Sequence, residues 1–230
     1  RNGAELIKYA ANAFLATKIT FINEIANLCE KSGINVEDVA LGIGSDTRIG
    51  GRFLRPGPAY GGSCFPKDTK GLISAAKKYK TNLSIVKSVI KSNQQRVNLL
   101  TLRIHKILGN NLKGKKISIL GVTFKPNTDD MRDSTSLKMI PYLCKKKAFV
   151  SYYDPSGEKK DFIKFANCNF KKNIKECCLK ADLVILLTEW DEFKSVDFKR
   201  VVKKNNFKIY DLRNIYTGEE MQQNKIKYYS

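Results

Sequence analysis

The apolar residues of this chain change their period once, and that change constrains the fold more than any other feature of the sequence. Up to about residue 110 they recur at helical spacing over long segments; from Lys115 they come as short runs separated by helical stretches. In 4–30, Leu6, Ala10, Ala13, Phe14, Thr17, Phe21, Ile25 and Leu28 form one stripe, with Leu15, Ile19, Ile22 and Ala26 beside it. This predicts one long helix, apolar over most of its circumference and therefore buried. Ser32-Gly33 ends it, and Asn35, followed by Glu37 and Asp38, caps a short second helix. A glycine-broken loop follows. Lys70–Tyr79 and Leu83–Leu108 then return to helical spacing, the latter stopped at Gly109-Asn110-Asn111.

The short runs are Ile117–Leu120, Phe149–Tyr153, Leu183–Leu187 and Ile209–Tyr210, three of them ending at Gly121, Asp154 and Asp211. Buried parallel strands joined by helices give this rhythm. The fold class expected is an α-helical domain over 1–112 followed by an α/β, Rossmann-like domain with a mainly parallel sheet over 113–230. A dinucleotide-binding domain should carry Gly-x-Gly-x-x-Gly at a strand-to-helix turn, and this chain has none. The turn after Leu120 has one glycine and a lysine, Gly121-Val122-Thr123-Phe124-Lys125-Pro126, which suits holding a phosphate by charge.

With 230 residues and 42% hydrophobic content the chain can bury a sizeable core. There is no apolar run of membrane-spanning length, and Arg1-Asn2-Gly3-Ala4-Glu5 does not read as a signal peptide, so a soluble cytoplasmic protein is expected, without a membrane partner. The net charge of +20 invites a nucleic-acid reading. The lysines are scattered in pairs and triplets where loops and exposed helix faces are expected, so solvated surface is favoured and no nucleic-acid partner is expected. The charge still favours an anionic ligand such as a nucleotide diphosphate. Six cysteines without a Cys-x-x-Cys pair read as reduced thiols, and with His105 the sole histidine no metal site is expected.

The chemistry concentrates around Gly57-Pro58-Ala59-Tyr60-Gly61-Gly62-Ser63-Cys64-Phe65-Pro66-Lys67-Asp68. Cys64 falls just outside a helix N-terminus, where the helix dipole and the Lys67 ammonium favour a thiolate. Asp68, four residues on, shares its side of the helix; it reads as a first-turn capping residue or as a catalytic carboxylate. Lys8 and Asn12 share one face of the first helix. They read either as a snorkelling lysine with a backbone-bonded amide, or as a pair stabilising an oxyanion. Arg48, Arg52 and Arg55 cluster in the preceding loop, while Lys125, Arg132 and Arg213 follow strand ends, where α/β sheets bind ligands.

Four ordered motifs resemble the UDP-glucose/GDP-mannose dehydrogenase family: Ala4-Glu5-Leu6-Ile7-Lys8-Tyr9-Ala10-Ala11-Asn12-Ala13-Phe14, Gly61-Gly62-Ser63-Cys64-Phe65-Pro66-Lys67-Asp68, Gly121-Val122-Thr123-Phe124-Lys125-Pro126-Asn127-Thr128-Asp129-Asp130-Met131-Arg132 and Thr188-Glu189-Trp190-Asp191. The resemblance implies an NAD-dependent four-electron oxidation of UDP-glucose to UDP-glucuronate, with Cys64 trapping the aldehyde and carrying a thioester. It makes Lys8 and Asn12 the oxyanion donors and Asp68 the acid/base group. By the same matching Phe53, Leu54, Arg55, Pro56, Gly57 and Gly61 wrap the nucleotide sugar. Lys8, Lys125 and Arg213 contact it, Lys67 and Arg132 contact the cofactor, and Arg48 reaches the substrate of a neighbouring subunit. A homodimer through the helical domain is therefore implied.

By the same resemblance, Tyr60 with Phe65 and Pro66 implies UDP-glucose as the substrate, with GDP-mannose the alternative within the family. Ala59 departs from the glycine more usual there. The family's N-terminal NAD-binding Rossmann domain has no counterpart in this chain, which resembles only the central and C-terminal parts, and a fragment of that kind is expected to be inactive alone. A non-catalytic nucleotide-sugar-binding or dimerisation module is the competing reading, and the retained Cys64, Lys8, Asn12 and Asp68 weigh against it.

Overall fold

The computed structural model describes residues 2–230, the side chain of Asn2 excepted. The chain divides into two compact units, one ending at Arg96 and the other running from Val97 to Ser230.

The first unit is helical. Helix α1 spans Asn2–Ser32, α2 Val36–Gly44, α3 Phe65–Lys78 and α4 Ser84–Ile107, of which the part beyond Arg96 belongs to the second unit. Asn35 caps α2 by accepting the Glu37 N–H at 3.0 Å. The helical period of α1 is as expected, but its burial is not. Ala13, Ala16, Thr20, Ile22, Asn23 and Cys29 are buried, whereas Leu6, Phe14, Phe21 and Leu28 of the expected core stripe are exposed. The inward face carries mainly small and polar residues: Ala16 packs with Tyr60 and Val89, Asn23 binds the Gly57 N–H, and α3 packs against the same helix. At Gly71 of α3 a Cβ would lie 3.3 Å from the Tyr9 ring, so the glycine admits that ring against the α3 backbone.

The second unit is built on a six-stranded sheet. Its strands are β1 Lys116–Leu120, β2 Phe149–Tyr153, β3 Cys168–Phe170, β4 Leu183–Leu186, β5 Lys208–Asp211 and β6 Lys227–Tyr229. The order is β3-β2-β1-β4-β5-β6 with every neighbouring pair parallel, the doubly wound arrangement. The short edge strands β3 and β6 carry no continuous apolar run and lay below the expectation from pattern.

Strand alternation splits the core in two. Ile117, Ile119, Leu183, Ile185 and Tyr210 face Leu100 and Ile104 of α4 and Met139, Ile140 and Leu143 of α5 (Ser136–Lys145). Leu120, Val184, Leu186 and Ile209 face the opposite layer, formed by Cys177 and Cys178 of α6 (Ile174–Cys178), Phe198 and Val202 of α7 (Phe198–Val202) and Met221 of α8 (Gly218–Gln223). Ser118, buried on that side, is satisfied by donating to the Cys177 carbonyl at 2.6 Å. β1 stops at Gly121, whose φ of +79° and lack of a Cβ let Thr188 approach: an added Cβ would stand 2.5 Å from Thr188 Cβ and 3.0 Å from its backbone.

Candidate active site

Cys64 is the residue that opens α3, with Pro66 in the first turn, and its carbonyl accepts the Asp68 N–H at 2.8 Å. Its thiol is exposed, 3.7 Å from the Ser63 hydroxyl, while Cys29, Cys144, Cys177 and Cys178 are buried and Cys168 is half-buried. Lys67 is exposed beside it. Asp68 lies one turn on and is fully buried. Its Oδ2 accepts the Asn12 amide at 2.6 Å and stands 4.0 Å from Lys8 Nζ, whereas Oδ1 has no hydrogen-bond partner. The shared face of Lys8 and Asn12 is thus aimed at this carboxylate. Tyr9, between them in sequence, donates to Glu5 at 2.6 Å, and that bond, with some burial and the Glu5 and Asp68 charges, pushes its hydroxyl pKa up.

An exposed thiol at a helix N-terminus can act as a nucleophile. A buried carboxylate with an open lone pair can take up or return a proton, and an ammonium and an amide on the adjoining helix can donate to a developing oxyanion.

The loop before Cys64 runs partly inside the unit. Leu54, Pro56, Gly57 and Tyr60 are buried, Gly61 is half-buried, and Phe53, Arg55 and Arg48 are exposed. Phe53 takes φ +65°, and its ring meets Phe65 edge-on at 6.1 Å, as does Tyr60 at 6.0 Å. Arg48 is tied to Asp46 through Nε at 3.0 Å and Nη2 at 2.6 Å, which holds the Asp46 carboxyl below its usual range. Lys18 donates to the Ile49 and Gly50 carbonyls at 2.9 and 2.8 Å.

Three residues that sequence reasoning passed over hold this loop. Asn23 Oδ1 accepts the Gly57 N–H at 2.8 Å, Arg96 Nε donates to the Gly57 carbonyl at 3.2 Å, and Asn93 accepts the Tyr60 N–H at 2.9 Å while donating to the Tyr60 carbonyl at 3.1 Å. Their signal was present: Asn93 and Arg96 interrupt the stripe of Val89, Leu100 and Ile104, and Asn23 continues that of Ala13, Ala16 and Thr20. Polar residues on a buried face must find partners.

In the second unit the candidates meet around the loop after β1. Arg213 Nε donates to the Leu187 carbonyl at 2.9 Å and Nη2 to that of Phe124 at 3.2 Å. Glu189 Oε2 lies 2.8 Å from the same Nε as an ion pair, the N–H itself being turned to Leu187. Lys125 is exposed with Nζ 5.4 Å from the Phe124 ring. Arg132 forks onto Asp130 at 2.9 and 2.8 Å and thereby lowers the Asp130 pKa.

The Val122 and Thr123 amides at this turn are taken. Asp154, buried at the end of β2, accepts the Val122 N–H at 2.7 Å and the Thr123 N–H at 3.2 Å. Asp211, at the end of β5, is pushed up in pKa by burial, against the N–H groups of Tyr216, Arg213 and Ile215 and the Tyr228 hydroxyl that bind it. Among the described residues no group of three or more potential ligands could hold a metal ion, and no helix is long and apolar enough to cross a membrane.

Known proteins share both units. Residues 2–95 match the central domain of the UDP-glucose/GDP-mannose dehydrogenase family, and residues 118–218 match its UDP binding domain. A UDP-glucose 6-dehydrogenase of Rhizobium meliloti is 45% identical, the match covering all of this chain and 53% of that protein; one of Bacillus subtilis is 43% identical over 99% of this chain and 52% of its own length. A solved UDP-glucose dehydrogenase from Pyrobaculum islandicum superposes with a TM-score of 0.87 at 30% identity, over 99% of this chain and 50% of that one. The chain spans about half the length of the curated relatives it matches. The matched segments together take in most of the sequence and both folded units, and the chain therefore belongs to the UDP-glucose/GDP-mannose dehydrogenase family, carrying its central and UDP-binding domains.

Proposed function

We propose that this chain supplies the catalytic and nucleotide-sugar-binding parts of an NAD-dependent dehydrogenase that oxidises UDP-glucose to UDP-glucuronate. Residues 1–112 would carry the chemistry and 113–230 the grip on the nucleotide. The observation that carries this reading is the convergence of Lys8 and Asn12 on the buried Asp68, one helical turn from the exposed Cys64 thiol.

The C6 alcohol of the sugar loses a proton and a hydride to become an aldehyde. The Cys64 sulfur adds to the carbonyl carbon, forming a thiohemiacetal whose oxyanion Lys8 and Asn12 would receive. Loss of a second hydride leaves a thioester. Water cleaves the C–S bond, releasing the carboxylate and returning the thiol, with Asp68 as the group that takes the proton from water. NAD, when bound, supplies the hydride acceptor in both oxidations.

Lys67 and Arg132, each an exposed cation on its own unit, would contact this cofactor, while Asp154 already occupies the Val122 and Thr123 amides. On the substrate side, Phe53, Leu54, Arg55, Pro56, Gly57 and Gly61 would wrap the nucleotide sugar, and Lys125 and Arg213 would meet its diphosphate. A homodimer through the helical unit is supported by the apolar residues that α1 leaves outside, and Arg48, exposed on the preceding loop, would reach the substrate of the second copy.

The test is stoichiometric. In the whole protein two NAD should be reduced per UDP-glucose consumed, GDP-mannose should turn over far more slowly, and Cys64→Ser should abolish UDP-glucuronate. Acid formed at an undiminished rate by that variant would overturn the role of Cys64.

A further inference from the structure

The loop that delivers Cys64 is held by side chains. Gly57 and Tyr60 give up both backbone N–H groups and both carbonyls to three residues on two helices: Asn23 of α1, and Asn93 and Arg96 of α4. Arg96 is buried, and its Nη1 also donates to the Asn23 carbonyl at 3.0 Å and to the Asn27 side chain, so the guanidinium ties α1, α4 and the loop together. The tie reaches the nucleophile. Asn93 fixes the Tyr60 backbone, the Tyr60 ring packs edge-on against Phe65, and Phe65 is the residue after Cys64. An irregular buried loop has no ladder of its own to satisfy its polar groups, so the geometry of these donors and acceptors dictates where it lies.

We propose that Asn23, Asn93 and Arg96 are positioning residues of the active site. They touch neither substrate nor reacting atoms; they set the path of Gly57–Tyr60 and, through Tyr60 and Phe65, the presentation of the Cys64 thiol. The consequence for substrate rests on the nucleotide-sugar reading given above. The consequence for the thiol does not.

Asn93 gives the cleanest perturbation because it is half-buried and bonds the loop at one residue only. In the 230-residue chain, Asn93→Ala should speed amide exchange at Tyr60 by about tenfold or more, loosen UDP-glucose binding in calorimetry by about tenfold, and change the rate of Cys64 alkylation by iodoacetamide severalfold, with the exchange of α1 unchanged. Asn93→Asp keeps the acceptor for the Tyr60 N–H and loses the donor, so it should restore the Tyr60 protection and most of the alkylation rate. Arg96→Lys, which keeps the charge without the fork, should fall between wild type and Arg96→Met.

Faster exchange at Tyr60 with unchanged alkylation would mean that the clamp is structural only and would overturn the proposal, as would unchanged exchange. If the unsubstituted chain fails to bind UDP-glucose, the nucleotide-sugar reading falls, and the alkylation rates still decide the clamp. Should Arg96→Met fail to fold, the Asn93 pair decides alone.

Discussion

The buried Asp68 makes a prediction that can be worked through in energy. Its Oδ2 accepts one short bond, from Asn12 at 2.6 Å, its Oδ1 accepts none, and the nearest cation, Lys8 at 4.0 Å, is 59% exposed. A hydrogen bond to a charged group is worth about 1.5–3 kcal/mol. Because Asn12 is itself half-buried, its loss in Asn12→Ala should cost about 2 kcal/mol, the solvated Lys8 compensating by no more than about 1 kcal/mol. In Asp68→Asn the side-chain oxygen can still accept the Asn12 amide, now as a neutral bond of about 1 kcal/mol, so Asn12→Ala should cost about half as much in that background.

The expected coupling is about 1 kcal/mol, above the ~0.3–0.5 kcal/mol scatter of independent sites. Asp68→Asn alone should be the milder change, since it removes a fully buried charge with an unmet oxygen. The lone tryptophan, Trp190, reports on the second unit, so the assay is native-state amide exchange along α3 by mass spectrometry. Additive effects within 0.5 kcal/mol, or an Asp68→Asn costlier than Asn12→Ala, would refute this account of the site.

Two further outcomes follow from surfaces away from the thiol. Ile7, Phe14, Phe21 and Leu28 are 72%, 65%, 49% and 62% exposed and stand seven residues apart on α1, so Phe14→Glu should shift a dimer to monomer in light scattering at micromolar concentration; an unchanged mass would rule α1 out as the interface. Burial works to raise the Asp182 pKa, but Lys204 at 2.5 Å and the Lys116 N–H at 2.8 Å outweigh it and the net shift is downward. The stability this provides is therefore present above the usual carboxylate range and lost as pH falls through the lowered value. Lys204→Met should lower the stability of the second unit by about 0.5 kcal/mol at pH 7, in urea titrations followed by Trp190 fluorescence, and by nothing near pH 2; equal losses at both pH values would contradict it.

Helices and central strands were legible because their periods are long or their runs wholly apolar: Leu83–Leu108 prefigures α4, and Phe149–Tyr153 is β2 residue for residue. Which face of α1 turns inward was not legible from hydropathy. Ala13, Ala16 and Thr20 are buried there and Phe14 and Phe21 are not: close packing inside the unit, as of Ala16 on Tyr60 and Val89, favours small side chains and the large ones remain outside. Edge strands β3 and β6 escaped notice since Cys168-Asn169-Phe170 and Lys227-Tyr228-Tyr229 are short and only half covered. The cluster of Lys8, Asn12 and Asp68 was half legible. Spacing put the first two on one face, but only the packing of α1 on α3 joins them to a carboxylate 56 positions away from Asn12. The loop clamp was written into two apolar stripes as polar interruptions, a mark that gains meaning only once the partner backbone is known.

In doubly wound sheets the turn after the first strand ordinarily offers its main-chain amides to an incoming phosphate. Here Asp154 acts as a tethered competitor, covalently present at an effective concentration on the order of millimolar or more, and a phosphate would have to evict it to gain those donors. A phosphate bound beside Val122 and Thr123 would then be met by side chains. Main-chain donors are indifferent to most substitutions, whereas a side-chain donor is gained or lost in one, so anion selectivity in this half of the molecule is open to change residue by residue.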